Sequence, residues 1–381
     1  MRDFVDVLAE WEPVRREESE RRIGRGEALA VMAKARKGSV TPREFLALLS
    51  PAAGEELETL AQTARDITLR FFGRAVSIFT PLYISDYCTN QCRYCGFNAR
   101  NKQKRRHLSP DEAAAEAFAI ADLGFMHILL LTGDAPKLAS PQYIAEVIAK
   151  IKSRFASIGV EVYAMTAGEY RLLIEAGADS MTMFQETYNP GLYKWLHPAG
   201  PKSDYKFRLE APARAAEAGM RSVGVGALLG LDDFVNDAFA TGLHAWYLQR
   251  SFPGLEVSVS VPRICPHEGE FEVTKAVGDR LFAQYVAALR CFLPRAGITC
   301  SSRESANMRN HLLPFGVTRV SAGVSTAVGG RATEDLRNPG QFEITDHRSL
   351  AEMIRDLRGL GYQPVLKDWE DPATGQAAHA G

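Results

Sequence analysis

Residues 76–98 read VSIFTPLY and then ISDYCTNQCRYCGFN, an apolar run that passes straight into Cys88, Cys92 and Cys95. The β-branched and aromatic residues of 76–83 predict a strand. The C-x3-C-x2-C spacing lets three thiolates wrap one metal cluster, with no fourth cysteine close in sequence. A structural zinc site normally takes four protein ligands, and an electron-transfer 4Fe–4S cluster four cysteines. Three ligands leave one metal position open, which is what catalysis needs. A zinc site completed by one of the eight histidines is the alternative that the spacing leaves standing.

Downstream of this loop, short apolar runs alternate with longer amphipathic stretches. Candidate strands are 76–83, 127–132, 161–164, 180–184, 222–225, 256–261, 298–301 and 319–322. Helical segments at 110–123, 141–155, 167–176, 211–218, 232–249, 277–292 and 305–313 separate them. Such alternation signals parallel βα units. Eight candidates fit an α/β fold of the (β/α)8 TIM-barrel type, closed or partly open, with its chemistry at the C-terminal ends of the strands. Periodicity alone leaves a doubly wound open sheet possible. Upstream, Thr41-Pro42-Arg43-Glu44 combines an N-cap, a proline at the first helical position and an acid at the third. The chain therefore divides into a helical extension over 1–74, a barrel over 75–330 carrying the cluster loop at 88–95, and a C-terminal segment over 331–381. That last segment packs on the barrel and ends in a polar tail from about residue 370.

Composition narrows the class. With 46% hydrophobic and 24% charged residues, the chain has the balance of a globular protein. A net charge of -1 gives no reason to expect nucleic acid or a membrane surface as partner. The charged start MRDFVDVLAEWEPVRREESERR lacks the apolar core of a signal peptide, and no window nears the roughly 18 apolar residues of a membrane span. A cytoplasmic location follows as an expectation. In that reducing compartment clustered cysteines point to metal chemistry, and the scattered Cys265, Cys291 and Cys300 read as ordinary thiols.

The cysteine spacing, with Tyr94 before the last cysteine and a predicted strand before the first, resembles the signature of the radical S-adenosylmethionine (SAM) superfamily. The resemblance implies a 4Fe–4S cluster on Cys88, Cys92 and Cys95 whose open iron chelates SAM. One electron then cleaves SAM to methionine and a 5'-deoxyadenosyl radical. It further implies that Asp134, in Leu131-Thr-Gly-Asp, receives the SAM amino group, although a turn or N-cap aspartate is its plain alternative. Glu186 and Arg208 become candidates for the ribose and the SAM carboxylate, with a surface ion pair as the other reading. Gly224 and Gly226, in a glycine-rich turn after the fifth strand, suit close approach by the adenine.

Longer strings narrow this further: Pro81-Leu-Tyr-Ile-Ser, Gln185-Glu-Thr-Tyr188, Leu196-His-Pro-Ala-Gly-Pro-Lys202, Gly226-Ala-Leu-Leu-Gly-Leu231, Ser302-Arg-Glu-Ser305, Gln341-Phe-Glu343 and Pro364-Val-Leu-Lys-Asp-Trp369. Over roughly residues 40–369 the chain resembles the tyrosine lyases of thiamine thiazole biosynthesis, the 2-iminoacetate synthase family. The resemblance implies cleavage of the Cα–Cβ bond of L-tyrosine to 2-iminoacetate (dehydroglycine) and p-cresol. Ser301, Arg303 and Ser321 match the positions that hold the amino-acid carboxylate, for which a guanidinium fork is chemically suited. Tyr83 matches a tyrosine lining the substrate site, with a buried aromatic as its plain reading. Glu304 and Arg263 are weaker candidates for the same pocket. Implied partners are thiazole synthase, which would receive the hydrolysable product, and a flavodoxin or ferredoxin as reductant.

Two departures bear on the substrate. Asp134 stands where close relatives more often have Glu, and Pro262-Arg-Ile-Cys-Pro266 has Cys265 where relatives commonly carry an arginine. A lyase of tryptophan or another amino acid is therefore the second reading. The hydrogenase-maturation tyrosine lyase shares the core but adds a second cysteine cluster, and no cysteine follows Cys300. A non-catalytic cluster protein is the reading from another class. His197 and His267 could act as acids or bases, or serve surface or capping roles.

Overall fold

The computed structural model describes residues 2–265, 271–273, 275–332, 341 and 343–367. Pro266, His267, Phe342, Trp369 and the tail from about 370 lie outside the described residues.

Five helices come first: α1 (Phe4–Glu20), α2 (Arg25–Ala35), α3 (Pro42–Leu48), α4 (Pro51–Glu55) and α5 (Leu57–Phe72). The capping box at the start of α3 is formed in both directions, Thr41 Oγ1 accepting from Glu44 N and Glu44 accepting from Thr41 N. Then follow β1 (Ala75–Ser85), α6 (Pro110–Asp122), β2 (His127–Thr132), α7 (Pro141–Ile151), β3 (Ser157–Glu161), α8 (Ala167–Ala176) and β4 (Ser180–Glu186). After two short helices, α9 (Pro190–Leu196) and α10 (Tyr205–Leu209), come α11 (Ala211–Glu217), β5 (Ser222–Ala227), α12 (Phe234–Ser251) and β6 (Glu256–Ser260). The barrel ends with α13 (Asp279–Phe292), β7 (Gly297–Cys300), α14 (Ala306–Leu312) and β8 (Arg319–Ser321). Finally α15 (Leu350–Gly359) leads to β9 (Gln363–Val365), which pairs with the start of β1.

Every strand pairing is parallel, and β1 pairs with both β8 and β2, so the eight strands close into a barrel. That closure settles the open-sheet alternative. The third strand is a correction: expected at 161–164, it runs Ser157–Glu161. Its Ser-Ile-Gly-Val pattern reads poorly as a strand because the inward positions are small.

The same alternation recurs around the barrel. Ser157 and Gly159, Ser180 and Thr182, Ser222 and Gly224, Ser258 and Ser260 face the axis. Between them Ile158, Val160, Met181, Met183, Val223, Val225, Val257 and Val259 are buried in the core cluster. Branched residues usually fill a barrel of this size. Here serine, threonine and glycine leave the axis hollow, and the main apolar core lies between strands and helices.

The N-terminal helices extend that core. Phe4 stacks on His244 of α12 with centroids 4.0 Å apart, and the Phe4 and Val5 amides donate to Glu210. Phe45 of α3 stacks on Phe292 of α13.

Candidate active site

The cysteine loop leaves β1 and is clamped from two sides. Gly133 N donates to Ser85 O at 2.8 Å, and Thr89 N to Asp134 O at 2.9 Å. A Cβ on Gly133 would stand 2.3 Å from Tyr87 O, so only glycine lets the end of β2 approach the loop this closely. From the other side, Gln91 N and Arg93 N donate to the carbonyls of Ala199 and Leu196. Asn90 links both walls: its Nδ2 donates to Asp134 Oδ2 at 2.7 Å, and its Oδ1 accepts from Lys202 N at 2.9 Å. Gly200, at φ 99°, would put a Cβ 2.6 Å from Asn90 Cα.

Cys92 is buried, and Cys88 and Cys95 are partly exposed. Burial pushes the Cys88 thiol up to about 12 and raises the other two, with Lys202 working the opposite way on Cys92 and Cys95. Metal binding removes such protons by supplying the positive charge that the surroundings lack. Among the described residues no three His, Cys, Asp or Glu side chains converge on a point suited to a single ion. A cluster takes one thiolate per iron and needs no such point. Three soft donors on one clamped loop fit the 4Fe–4S group.

Beside this loop, a cavity of about 180 Å³ runs down the hollow axis. Its wall includes Tyr83, Tyr94, Cys95, Glu186, Gly224, Ser301, Arg303 and Ser321, so these expected site residues meet in one space. Cys88, Cys92, Asp134, Arg208 and Gly226 are not on its lining. Asp134 braces Asn90, and Arg208 Nε donates to Phe184 O at 2.8 Å. A Cβ on Gly226 would lie 2.7 Å from Ser260 O.

Glu186 is the centre of a charge cluster. Its backbone has φ 69°, the one positive value at a non-glycine among the described residues, and β4 shifts register against β5 there. Its carboxylate pairs with Lys202 Nζ and lies 3.9 Å from Arg208. Burial alone would raise this carboxyl, but Lys202 and Arg208 hold it below the usual range. Lys202 also lies over the Tyr94 ring, with Nζ 5.7 Å from its centroid.

On the opposite wall stands Arg303, just past β7 and on the cavity lining with Ser301 and Ser321. Ser321 Oγ accepts from Ser302 N at 3.1 Å, which fixes the hydroxyl beside the arginine loop. Glu161, the last residue of β3, lines the same space, and burial pushes its carboxyl up to about 7 against the opposing pull of Arg303. Tyr83 OH donates to Gln341 Oε1 at 2.8 Å, and Gln341 Nε2 lies 3.8 Å from Cys95 Sγ. The C-terminal segment thereby links the end of β1 to the cluster loop that follows it.

Glu161, Lys202 and Gln341 carry no role in the sequence reading. Glu161 sat at the wrong end of a misplaced strand. Lys202 and Gln341 lie inside the resemblance strings, where nothing local marks them as reaching the axis. Arg263 and Glu304 are a correction: they pair through two contacts, Nε to Oε1 at 2.8 Å and Nη2 to Oε2, and neither lines the cavity. His197 is a structural residue. Its Nδ1 donates to Tyr193 O at 2.8 Å and its Nε2 accepts from Tyr94 OH at 2.7 Å, while burial lowers it to about 3. Cys265 lines the cavity, with Sγ 3.6 Å from Arg263 O and 3.8 Å from Arg303 O.

The chain matches the model of the Radical SAM superfamily over residues 82–240 and that of the Biotin and Thiamin Synthesis associated domain over 260–363. It is 36% identical to 2-iminoacetate synthase of Escherichia coli, over 87% of this chain and 88% of that protein. To 2-iminoacetate synthase of Salmonella typhimurium it is 34% identical, over 97% of both. The crystal structure of HydG, a maturase of the [FeFe]-hydrogenase, superposes with a TM-score of 0.87 at 32% identity, covering 94% of this chain and 80% of that one.

Proposed function

The chain belongs to the 2-iminoacetate synthase family of radical SAM enzymes, and from that premise we propose how its own residues serve the cleavage of L-tyrosine to 2-iminoacetate and p-cresol. The observation that carries the proposal is that Arg303, Ser301 and Ser321 line one cavity together with Cys95 of the cluster loop.

Cys88, Cys92 and Cys95 hold the cluster, and Glu186, Arg208, Asp134 and the glycines Gly224 and Gly226, which lie within β5 and not in a turn after it, serve SAM. When bound, the cluster and SAM supply a carbon radical able to take hydrogen from the substrate. Arg303 pairs with the tyrosine carboxylate through charge-assisted hydrogen bonds, supported by the Ser301 and Ser321 hydroxyls. Glu161, ionised above about 7, receives the substrate ammonium from the β3 side of the barrel, across the cavity from the arginine that follows β7. Two opposite charges at fixed positions orient Cα and Cβ, and orientation matters because a radical reacts with whatever stands nearest. Tyr83, held by Gln341, and the apolar Leu131, Phe184, Leu228 and Pro262 close the space around it and exclude water. Lys202 keeps Glu186 ionised and brings a positive charge to the thiolate side.

Thiazole synthase is the proposed recipient of 2-iminoacetate, because an imine hydrolyses in water. A cytoplasmic site of action is proposed too. Among the described residues no helix is long and apolar enough to cross a membrane.

Arg303→Ala tests the substrate anchor. Loss of a fork to a carboxylate in an enclosed site should lower kcat/KM for tyrosine by about a hundredfold or more. SAM binding should change little. Equal losses of SAM and tyrosine binding would place Arg303 on the cofactor instead.

A further inference from the structure

The chain as a whole is nearly neutral, with 45 Lys and Arg against 46 Asp and Glu. Around the cysteine loop that balance breaks. Residues 87–107 contain Arg93, Arg100, Lys102, Lys104, Arg105 and Arg106 and not one Asp or Glu. Arg93, Arg100, Lys102 and Lys104 are exposed, as is Lys194 on α9. The segment wraps the loop that holds the cluster: Ala99 N donates to Asn90 O, and Arg105 donates to the carbonyls of Asp86, Phe97 and Asn98.

Two large aromatics lie in this basic surface, Tyr87 beside Cys88 at 40% exposure and Trp195 at 52%. Both sit among the few large apolar side chains left open to solvent. Trp195 is held for display: the Arg93 guanidinium lies 4.6 Å from its ring, and Arg93 Nε donates to Trp195 O at 2.8 Å. Fixed aromatics rimmed by arginine and lysine are the anatomy of a transient protein interface.

We propose that this face, Tyr87, Arg93, the 100–104 cations, Lys194 and Trp195, docks a small acidic protein that carries single electrons. The inference rests on the cluster reading above. Charge complementarity selects an acidic partner and steers its encounter, while the aromatics fix it at close range. The position selects an electron carrier, because Tyr87 adjoins Cys88 and Arg93 adjoins Cys92 in the loop that holds the cluster, and both side chains are exposed. In the step it serves, one electron leaves the carrier and enters the oxidised cluster, [4Fe–4S]2+ becoming [4Fe–4S]1+. No atom or proton is transferred.

The test uses the full-length, cluster-reconstituted protein and its quadruple variant Arg100→Glu, Lys102→Glu, Lys104→Glu, Lys194→Glu, with a flavodoxin as the probe. Flavodoxin affinity is measured by biolayer interferometry from about 50 to about 300 mM salt, and cluster bleaching by stopped flow with flavodoxin hydroquinone or dithionite. The native protein should lose affinity at least about tenfold over that range. The variant should bind at least about tenfold more weakly at low salt, respond little to salt, and accept electrons from dithionite at the native rate. Equal affinity and equal flavodoxin rates in the two proteins would overturn the proposal. So would a face that binds a single-stranded RNA probe and not flavodoxin. A protein that shows the expected docking yet makes no p-cresol would leave this face assigned and sink only the substrate reading.

Discussion

Glu186 holds a backbone conformation that costs of the order of 1–3 kcal/mol for a side chain with a Cβ. Replacing it by glycine would relieve that strain, so its carboxylate must supply something glycine cannot. Two cations converge on it at the cavity wall. The sequence marked Glu186 only through resemblance, since no local pattern announces a positive φ. The cysteines were different, because their spacing is itself the chemistry. Glu161 was hidden by the misplaced third strand, and its ionisation gives the clearest residue-scale prediction. Burial raises its folded value from 4.5 to about 7. Below 4.5 both folded and unfolded chains are protonated there. Between 4.5 and about 7 only the folded chain keeps the proton, so stability falls as pH rises through that window and then levels. Activity should move oppositely, kcat/KM for tyrosine rising through about pH 7 as the carboxylate forms to meet the ammonium. Glu161→Gln should melt with no drop from this group across that window and lose the acidic limb of the rate profile. A limb retained in the variant would assign the titration to another group.

At the scale of elements, helix starts were legible because their chemistry is local. Ser109 and Glu112, and Thr166 and Glu169, form reciprocal caps at helices expected from 110 and 167, whereas the cap of Ser349 and Glu352 starts α15, for which no helix was expected. Strands were located by apolar content, which worked where the outward face is long and failed at β3, with its short run around Gly159. The inward serines and glycines that defeat such a reading are also what hollows the barrel. Loop and strand meet most tightly at Gly133. An alanine there would press on Tyr87 O, a backbone atom that can move only with the cluster loop. Gly133→Ala should cost about 1–3 kcal/mol. It should also lower iron content after reconstitution while leaving far-UV circular dichroism intact. Full iron loading would show that the loop tolerates the shift.

Across the whole molecule, distant parts of the chain complete one site. The barrel supplies the walls, and the C-terminal segment returns Gln341 to Tyr83 and Cys95. It also seats Asp346 on Arg309, which in turn donates to the carbonyl of Ser321. That buried pair fixes β8 beneath the proposed carboxylate anchor. Closure of the sheet, the reach of Gln341 and the hollow axis all depend on contacts between residues far apart in sequence, and periodicity carries none of them. The departures at Asp134 and Cys265 become interpretable only at this scale. Asp134 braces the loop through Asn90, and Cys265 sits beside the backbone of Arg303 without replacing its guanidinium. The most direct measurement is an anaerobic assay of the reconstituted, dithionite-reduced protein with SAM and L-tyrosine, following 5'-deoxyadenosine and p-cresol together. The account predicts both products, formed only when tyrosine and SAM are both present. Deoxyadenosine without p-cresol would contradict the tyrosine assignment and turn attention to tryptophan.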